Sequence, residues 1–425
     1  QPSVDPVTGY QPKIAMPDSP LRICLLSHTY PPQTFGGIAR LTNLMAQGLF
    51  ELGHSVHVIT KGEREEVSFY DGAYVHKIPP HQERYEHYRQ YYNLYATLNY
   101  SHNVYDKVQR LMLNDGIQIV DSPLWQYEGL VTLTSGVIPV VARLVTGLRQ
   151  ISDLHHSHVE EFALMGDLEE TFLQKAQHLL PNTQATLEAM RKFYALGDEQ
   201  RCTIIPYGIV PVADDQIRPF GRKAALAPDT PLTVLFVGRL EKRKGILDLF
   251  KAIPTVLKQM PMARFVIAGS DNSKSDGFVL QTGMDYPTYF AGHYPAYTPF
   301  VQFTGPLDDE RLQKLYQSCD LFVAPSLYES FGLVYLEAMN YAKPVIGCKA
   351  GGIPEVIDHG VSGWLVEPET PKSLAEAMIS LLSSPEKLQQ MGLAGREQVL
   401  QRFNYIEMAG KFAQVYRQEI QRFAI

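Results

Sequence analysis

The stretch Leu232-Thr233-Val234-Leu235-Phe236-Val237, followed by Gly238-Arg239-Leu240-Glu241-Lys242-Arg243-Lys244-Gly245, decides the fold. Six residues rich in branched and aromatic side chains read as a buried strand, and the glycine-bounded cationic loop ends it. Beyond it, Ile246, Leu249, Phe250, Ile253 and Leu257 recur on one face of a helix. Strand, loop and helix in that order open a βαβ unit, whose crossover is right-handed. The same grammar stands earlier in the chain. The apolar run 22–26 leads into a loop, 27–37, that holds Pro31, Pro32, Gly36 and Gly37. Ile38, Leu41, Leu44, Met45, Leu49 and Leu52 then mark a helix face that stops at Gly53, before a strand at 56–60.

Working outward, strand-like runs follow at 117–120, 137–144, 178–181 and 202–206, and in the second half at 264–268, 301–303, 321–324, 344–347 and 364–366. Helical stretches separate them, which argues for parallel sheets covered by helices. A chain of 425 residues is too long for one ordinary core. The expected fold class is therefore α/β, with two Rossmann-like doubly wound domains facing across a cleft that takes the ligand at their strand ends. The polar, proline-bearing stretch 210–231 reads as a linker. We expect a flexible extension at 1–20, an N-terminal domain at 21–215, a C-terminal domain at 216–405, and a last helix at 406–425. That helix repeats Ala409, Phe412, Val415, Tyr416, Ile420 and Phe423 on one face.

Hydrophobic residues make up 45% and charged residues 20%, an ordinary globular balance. A net charge of −7 argues against nucleic-acid partners, which favour basic surfaces. Cys24, Cys202, Cys319 and Cys348 form no C-x-x-C pair and read as buried free thiols of a reducing, cytoplasmic compartment. No run approaches the roughly 18 apolar residues of a membrane span. The proline-bearing start lacks a signal-peptide core, and Gln1 reads as the edge of a trimmed product or of something longer.

The strongest chemical signal is Glu329-Ser330-Phe331-Gly332-Leu333-Val334-Tyr335-Leu336-Glu337. Glu329 falls in a loop just past a strand, and Glu337 about two turns into the helix that Gly332 opens. Carboxylates accept hydrogen bonds from sugar hydroxyls, and the helix N-terminus adds backbone N–H donors. The plainer reading is a surface loop and a solvated glutamate. Arg239 and Lys244 sit past the strand that opens a domain, where cations suit a diphosphate. Lys242 and Arg243 are left as surface residues. Gly36-Gly37 can bring backbone N–H groups close to an anion, though a plain turn reads equally well. Gly351-Gly352-Ile353-Pro354-Glu355 is a third glycine turn after a strand. No G-x-G-x-x-G fingerprint stands in the first βαβ unit, which counts against a nicotinamide dehydrogenase.

Together, Gly36-Gly37, the Gly238–Gly245 loop, the Glu329–Glu337 block and the Gly351-Gly352 turn resemble the retaining glycosyltransferases of family 4, which have the GT-B fold. The resemblance covers the chain from Leu21 onward and implies an N-terminal acceptor domain, a C-terminal donor domain and a last helix that crosses back to the N-terminal domain. It implies transfer of a hexose from a nucleoside diphosphate sugar, UDP- or GDP-linked, to an acceptor hydroxyl, with no metal and no cofactor. By the resemblance Arg239, Lys244 and Glu329 carry the chemistry and Arg239 and Lys244 hold the diphosphate. Glu337 binds the ribose, while Glu329 and the backbone of Phe331, Gly332 and Leu333 hold the sugar. Gly36 and Gly37 meet a donor phosphate.

One departure stands out: the family's N-terminal histidine aligns with Val145. Arg143, His155 and His158 are the acceptor-side candidates, and the histidine spacing there does not suit a metal. Tyr85, Tyr88, Tyr92 and Tyr95 fall at helical spacing, which reads as packing ahead of an acceptor platform or a peripheral membrane contact. The acceptor is a sugar, a lipid-linked sugar or a small molecule. Rival readings are an epimerase of the same fold, a glycoside hydrolase using Glu329 and Glu337, and a sugar-nucleotide-binding protein without activity.

Overall fold

The computed structural model describes residues 19–32, 36–80, 84–155, 160–197, 201–218 and 231–424. The expected extension up to residue 18 lies outside the described residues. The chain divides into two compact units. The first runs to Val210 and takes in Asn404 onward; the second is Pro211–Phe403.

The first unit holds seven strands: β1 (Arg22–Leu26), β2 (Ser55–Lys61), β3 (Glu66–Tyr70), β4 (Ala73–Ile78), β5 (Ile119–Pro123), β6 (Val140–Arg143) and β7 (His178–Leu180). Their order is β3-β4-β2-β1-β5-β6-β7. All pairs are parallel except β3 with β4. Ile23 of β1 lies opposite Val56 of β2 and Ile119 of β5, so one face of the sheet's centre is apolar. The β3–β4 hairpin is absent from the sequence reading. Its turn is Asp71-Gly72, both at positive φ, which is the Asp-Gly signal of a tight hairpin. Charged Glu63 to Glu66 masked the strand before it. The expected strand at 202–206 reduces to a single bridge between Leu179 and Cys202. The run from residue 137 pairs only from Val140, since Val137 is exposed.

The tyrosine segment is not one helix. A short turn at Glu86–Tyr88 is followed by the helix Tyr92–Asn114, so the stripe is broken. Tyr85, Tyr88 and Tyr91 pack against the first core, whereas Tyr92 is exposed.

The last helix, Tyr405–Phe423, packs on the helix Gly37–Glu51 within the first unit. Gly48 makes that approach close: a Cβ there would come 2.7 Å from Ala409 Cβ and 2.8 Å from the Tyr405 carbonyl oxygen.

The second unit is a six-stranded, wholly parallel sheet: β8 (Leu232–Val237), β9 (Ala263–Ala268), β10 (Val301–Gly305), β11 (Leu321–Val323), β12 (Val345–Cys348) and β13 (Gly363–Val366), ordered β10-β9-β8-β11-β12-β13. Its core joins Val234, Phe236, Leu249, Phe250, Ile253, Phe265 and Ile267 to helix residues such as Leu374 and Met378. Strand faces and one stripe of each helix are thereby removed from water. Cys24, Cys319 and Cys348 are buried free thiols and Cys202 is half-buried. Among the described residues, no helix is long and apolar enough to cross a membrane.

Candidate active site

In the second unit, β8 and β11 are neighbours, and their carboxyl ends carry the residues singled out from sequence. After β8 the chain turns through Gly238 and a short helical turn, Lys242–Lys244, into the helix Ile246–Gln259. Gly245 between them has φ +69, and a Cβ there would lie 1.9 Å from the Pro325 carbonyl oxygen. Only glycine lets the cationic loop come so close to the loop after β11.

That approach brings Lys244 onto Glu329, where the ammonium donates to Oε1. Ser326 Oγ donates to the same oxygen at 2.9 Å. Arg243 stands 3.7 Å from Glu329 Oε2 and donates to the Tyr328 carbonyl at 3.0 Å. It also donates to Glu241 Oε1 at 2.8 Å. Burial alone would raise the Glu329 carboxyl, but Lys244 and Arg243 outweigh it and hold it below the usual range. Burial draws the Lys244 ammonium below an ordinary lysine, with Glu329 opposing. Arg239 differs. Its side chain is 55% exposed and is tethered only loosely, 3.3 Å from Glu241 Oε1, so its guanidinium is open to an anion.

The Gly351-Gly352 turn packs against this loop. Gly352 N–H donates to the Glu329 carbonyl at 2.8 Å, and a Cβ on Gly351 would come 2.1 Å from that oxygen. Glu329 is thus held by side-chain and backbone contacts from two directions. Gly332, at φ +96, opens the helix Leu333–Asn340, with Phe331 buried before it. Glu337 is half-buried on that helix and accepts from the Tyr316 hydroxyl at 2.8 Å.

Gly36 and Gly37 belong to the first unit, at the N-terminus of the helix Gly37–Glu51. Both are exposed, with open space where a side chain would be. Val145 packs half-buried against the first core. His155 is the last residue of the helix Leu148–His155, and His158 lies outside the described residues. Arg143 is 1% exposed and is used internally, by Asp121, the Thr42 hydroxyl at 2.9 Å and the Leu26 carbonyl at 2.7 Å. All three partners lie within the first unit. Among the described residues, no three His, Cys, Asp or Glu gather in a way that could hold a metal ion.

Sequence reading missed Glu241, Ser326 and Arg243. Arg243 was set aside as surface, yet it ties the loop after β8 to the loop after β11. Lys242 likewise meets Gln281 at 2.5 Å and lies over the Phe278 ring. A run of cations carries no mark of which members turn inward; the short helical turn decides that.

Two family profiles divide the chain. "Glycosyltransferase Family 4" matches residues 35–211 and "Glycosyl transferases group 1" matches residues 218–398. An uncharacterized glycosyltransferase of Methanocaldococcus jannaschii is 25% identical over 415 residues, covering 93% of this chain and 98% of that protein. In fold, the chain is similar to sucrose-phosphate synthase from Thermosynechococcus elongatus (TM-score 0.73, 21% identity, 94% and 98% of the two chains). It is also similar to Anabaena HepE in complex with UDP-glucose (TM-score 0.68, 18% identity, 94% and 100% of the two chains).

Proposed function

Since the chain belongs to the family 4 glycosyltransferases of the GT-B fold, we propose that it transfers a hexose from a nucleoside diphosphate sugar to an acceptor hydroxyl with retention of anomeric configuration. The observation that carries this reading is the cationic loop after β8, with Lys244 paired to the half-buried Glu329 and Arg239 left open beside it. HepE was solved with UDP-glucose, which supports a nucleotide-sugar donor here.

In this reading the diphosphate takes Arg239 as a bidentate partner and draws on the charge of Lys244. Glu329 accepts from sugar hydroxyls, with the N–H groups at the start of the helix Leu333–Asn340 nearby, and Glu337 accepts from the ribose. Breaking the glycosidic bond places charge on the leaving diphosphate, and fixed cations stabilise that charge where it develops. The acceptor hydroxyl attacks on the face that the diphosphate leaves, and a phosphate oxygen takes its proton. The cations supply the neutralisation, so the reaction is proposed to run without added metal. Gly36 and Gly37 are proposed to offer backbone N–H groups to a donor phosphate.

A binding and hydrolysis screen across UDP-, GDP- and ADP-sugars, without added metal, tests this. Selective binding with slow release of free sugar is the expected result. Well-folded protein that binds none of them sinks the proposal.

A further inference from the structure

In an open parallel sheet, ligands bind beyond the carboxyl ends of two neighbouring strands whose connections leave in opposite directions. In the first sheet that place lies between β1, which continues to β2 on one side, and β5, which continues to β6 on the other. His28 stands just past the end of β1, and Glu128 past the end of β5. The two are joined, for the His28 backbone N–H donates to Glu128 Oε1 at 2.8 Å. Gln126 and Tyr127, which lead into Glu128, sit at φ 58 and 34. Such conformations cost side-chain-bearing residues about 1–3 kcal/mol each and collect at ligand sites. Tyr100, from the helix Tyr92–Asn114, meets the His28 ring edge-on with centroids 5.1 Å apart. Its neighbour Ser101 donates to the Glu128 carbonyl at 2.9 Å.

Glu128 is 1% exposed and Tyr100 is 3% exposed. Even so, Glu128 Oε2, the Tyr100 hydroxyl and His28 Nδ1 have no hydrogen-bonding partner among the described residues. Buried polar atoms are nearly always paired, and three unpaired ones on residues that meet one another call for an occupant. We infer that His28, Tyr100 and Glu128 form a subsite that binds hydroxyl groups of a neutral sugar or polyol, the acceptor of the transfer proposed above. The role of that ligand rests on the transferase reading; the binding chemistry does not.

A hydroxyl both donates and accepts, which matches a phenol, an imidazole nitrogen and a carboxyl oxygen. Charge points the same way. Burial raises the Glu128 carboxyl to about 8, against the His28 N–H and Arg143, and burial aided by Lys61 lowers the His28 ring to about 4. At neutral pH the pocket is mostly uncharged, which suits hydroxyls better than phosphates or cations. His28 is half-buried and is the most exposed of the three.

Saturation-transfer NMR on the full chain, without any nucleotide sugar, tests the subsite with methyl α-D-glucopyranoside and myo-inositol as probes. Wild type is expected to bind. Tyr100→Phe weakens binding about fivefold and Glu128→Leu about tenfold or more. Glu128→Gln, which keeps a neutral donor and acceptor in the same shape, stays within about threefold. Leu280→Ala, at an exposed side chain of the other unit, leaves the probe signal unchanged. Failure of wild type to bind overturns the subsite, and its polar atoms then hold water only. Binding that survives both Tyr100→Phe and Glu128→Leu overturns it as well. If Glu128→Leu does not fold, Tyr100→Phe decides. Probe binding by a chain that binds no nucleotide sugar keeps the subsite and sinks the transferase reading, so the two failures stay distinct.

Discussion

The Tyr416 hydroxyl donates to Asp121 Oδ2 at 2.5 Å, across 295 positions of sequence. Asp121 is fully buried on β5 and also receives the Arg143 guanidinium from β6. Burial raises the Asp121 carboxyl despite both partners, so each matters to keeping a charge in the interior. The arrangement pins the last helix to the first sheet. Tyr416→Phe is expected to destabilise by about 1–3 kcal/mol, and Asp121→Ala, which strands Arg143, by about 3–5 kcal/mol. Urea unfolding measures both; an unchanged midpoint for Tyr416→Phe would show that the hydroxyl contributes nothing.

Arg239 and Lys244 separate binding from folding. Arg239 is exposed, so Arg239→Ala should melt like wild type while turnover falls about 10²–10³-fold. Lys244→Ala leaves the half-buried Glu329 with one cation fewer and should lower both stability and donor affinity. Paired calorimetry and thermal melts read the split, and normal turnover by Arg239→Ala would remove its diphosphate role. Glu337→Ala should weaken donor binding about tenfold, with no change expected at the sugar end.

Gly245→Ala should be disproportionately harmful. The added Cβ falls 1.9 Å from the Pro325 carbonyl oxygen, and the residue must keep φ +69. A loss of about 2–4 kcal/mol is expected, with donor affinity reduced because the loops after β8 and β11 are forced apart. Gly136→Ala is the control, since its positive φ meets only open space.

Glu128 gives a pH dependence of defined sign. Its folded carboxyl keeps a proton up to about 8, whereas the unfolded carboxyl releases it near 4.5. Between those values the unfolded chain binds fewer protons, so stability falls as pH rises. Glu128→Gln removes this one contribution. The stability of Glu128→Gln relative to wild type should therefore climb between about pH 4.5 and 8 and level off above; a flat difference would mean the carboxyl titrates normally.

Arg243 links the loops through Glu241, Tyr328 and Glu329. Its removal takes a positive charge from beside Glu329, whose carboxyl then titrates at higher pH. The acid limb of donor binding in Arg243→Ala should move upward, while Arg243→Lys restores part of the shift. An unmoved limb would return Arg243 to a packing role.

The strand-loop-helix repeat, the parallel second sheet, the mainly parallel first one, and the positions of Arg239, Lys244 and Glu329 in loops past strand ends were legible in sequence. Periodicity and glycine placement are local properties, and a strand's carboxyl end is a fixed address for ligand residues. The β3–β4 hairpin was also within reach, since Asp71-Gly72 announces its turn. The break at Tyr88 to Tyr92 was not, because aromatic spacing fits a continuous helix until packing interrupts it.

Sequence alone therefore determined the class of fold and the kinds of residue that end each strand, since both follow from local pattern. Tertiary structure decided which of those residues meet: that Arg143 turns inward to Asp121, that Arg243 faces Glu329, and that the His28 N–H meets Glu128. Those pairings join residues 22 to 100 positions apart, and their strength depends on burial, which only the packed chain supplies.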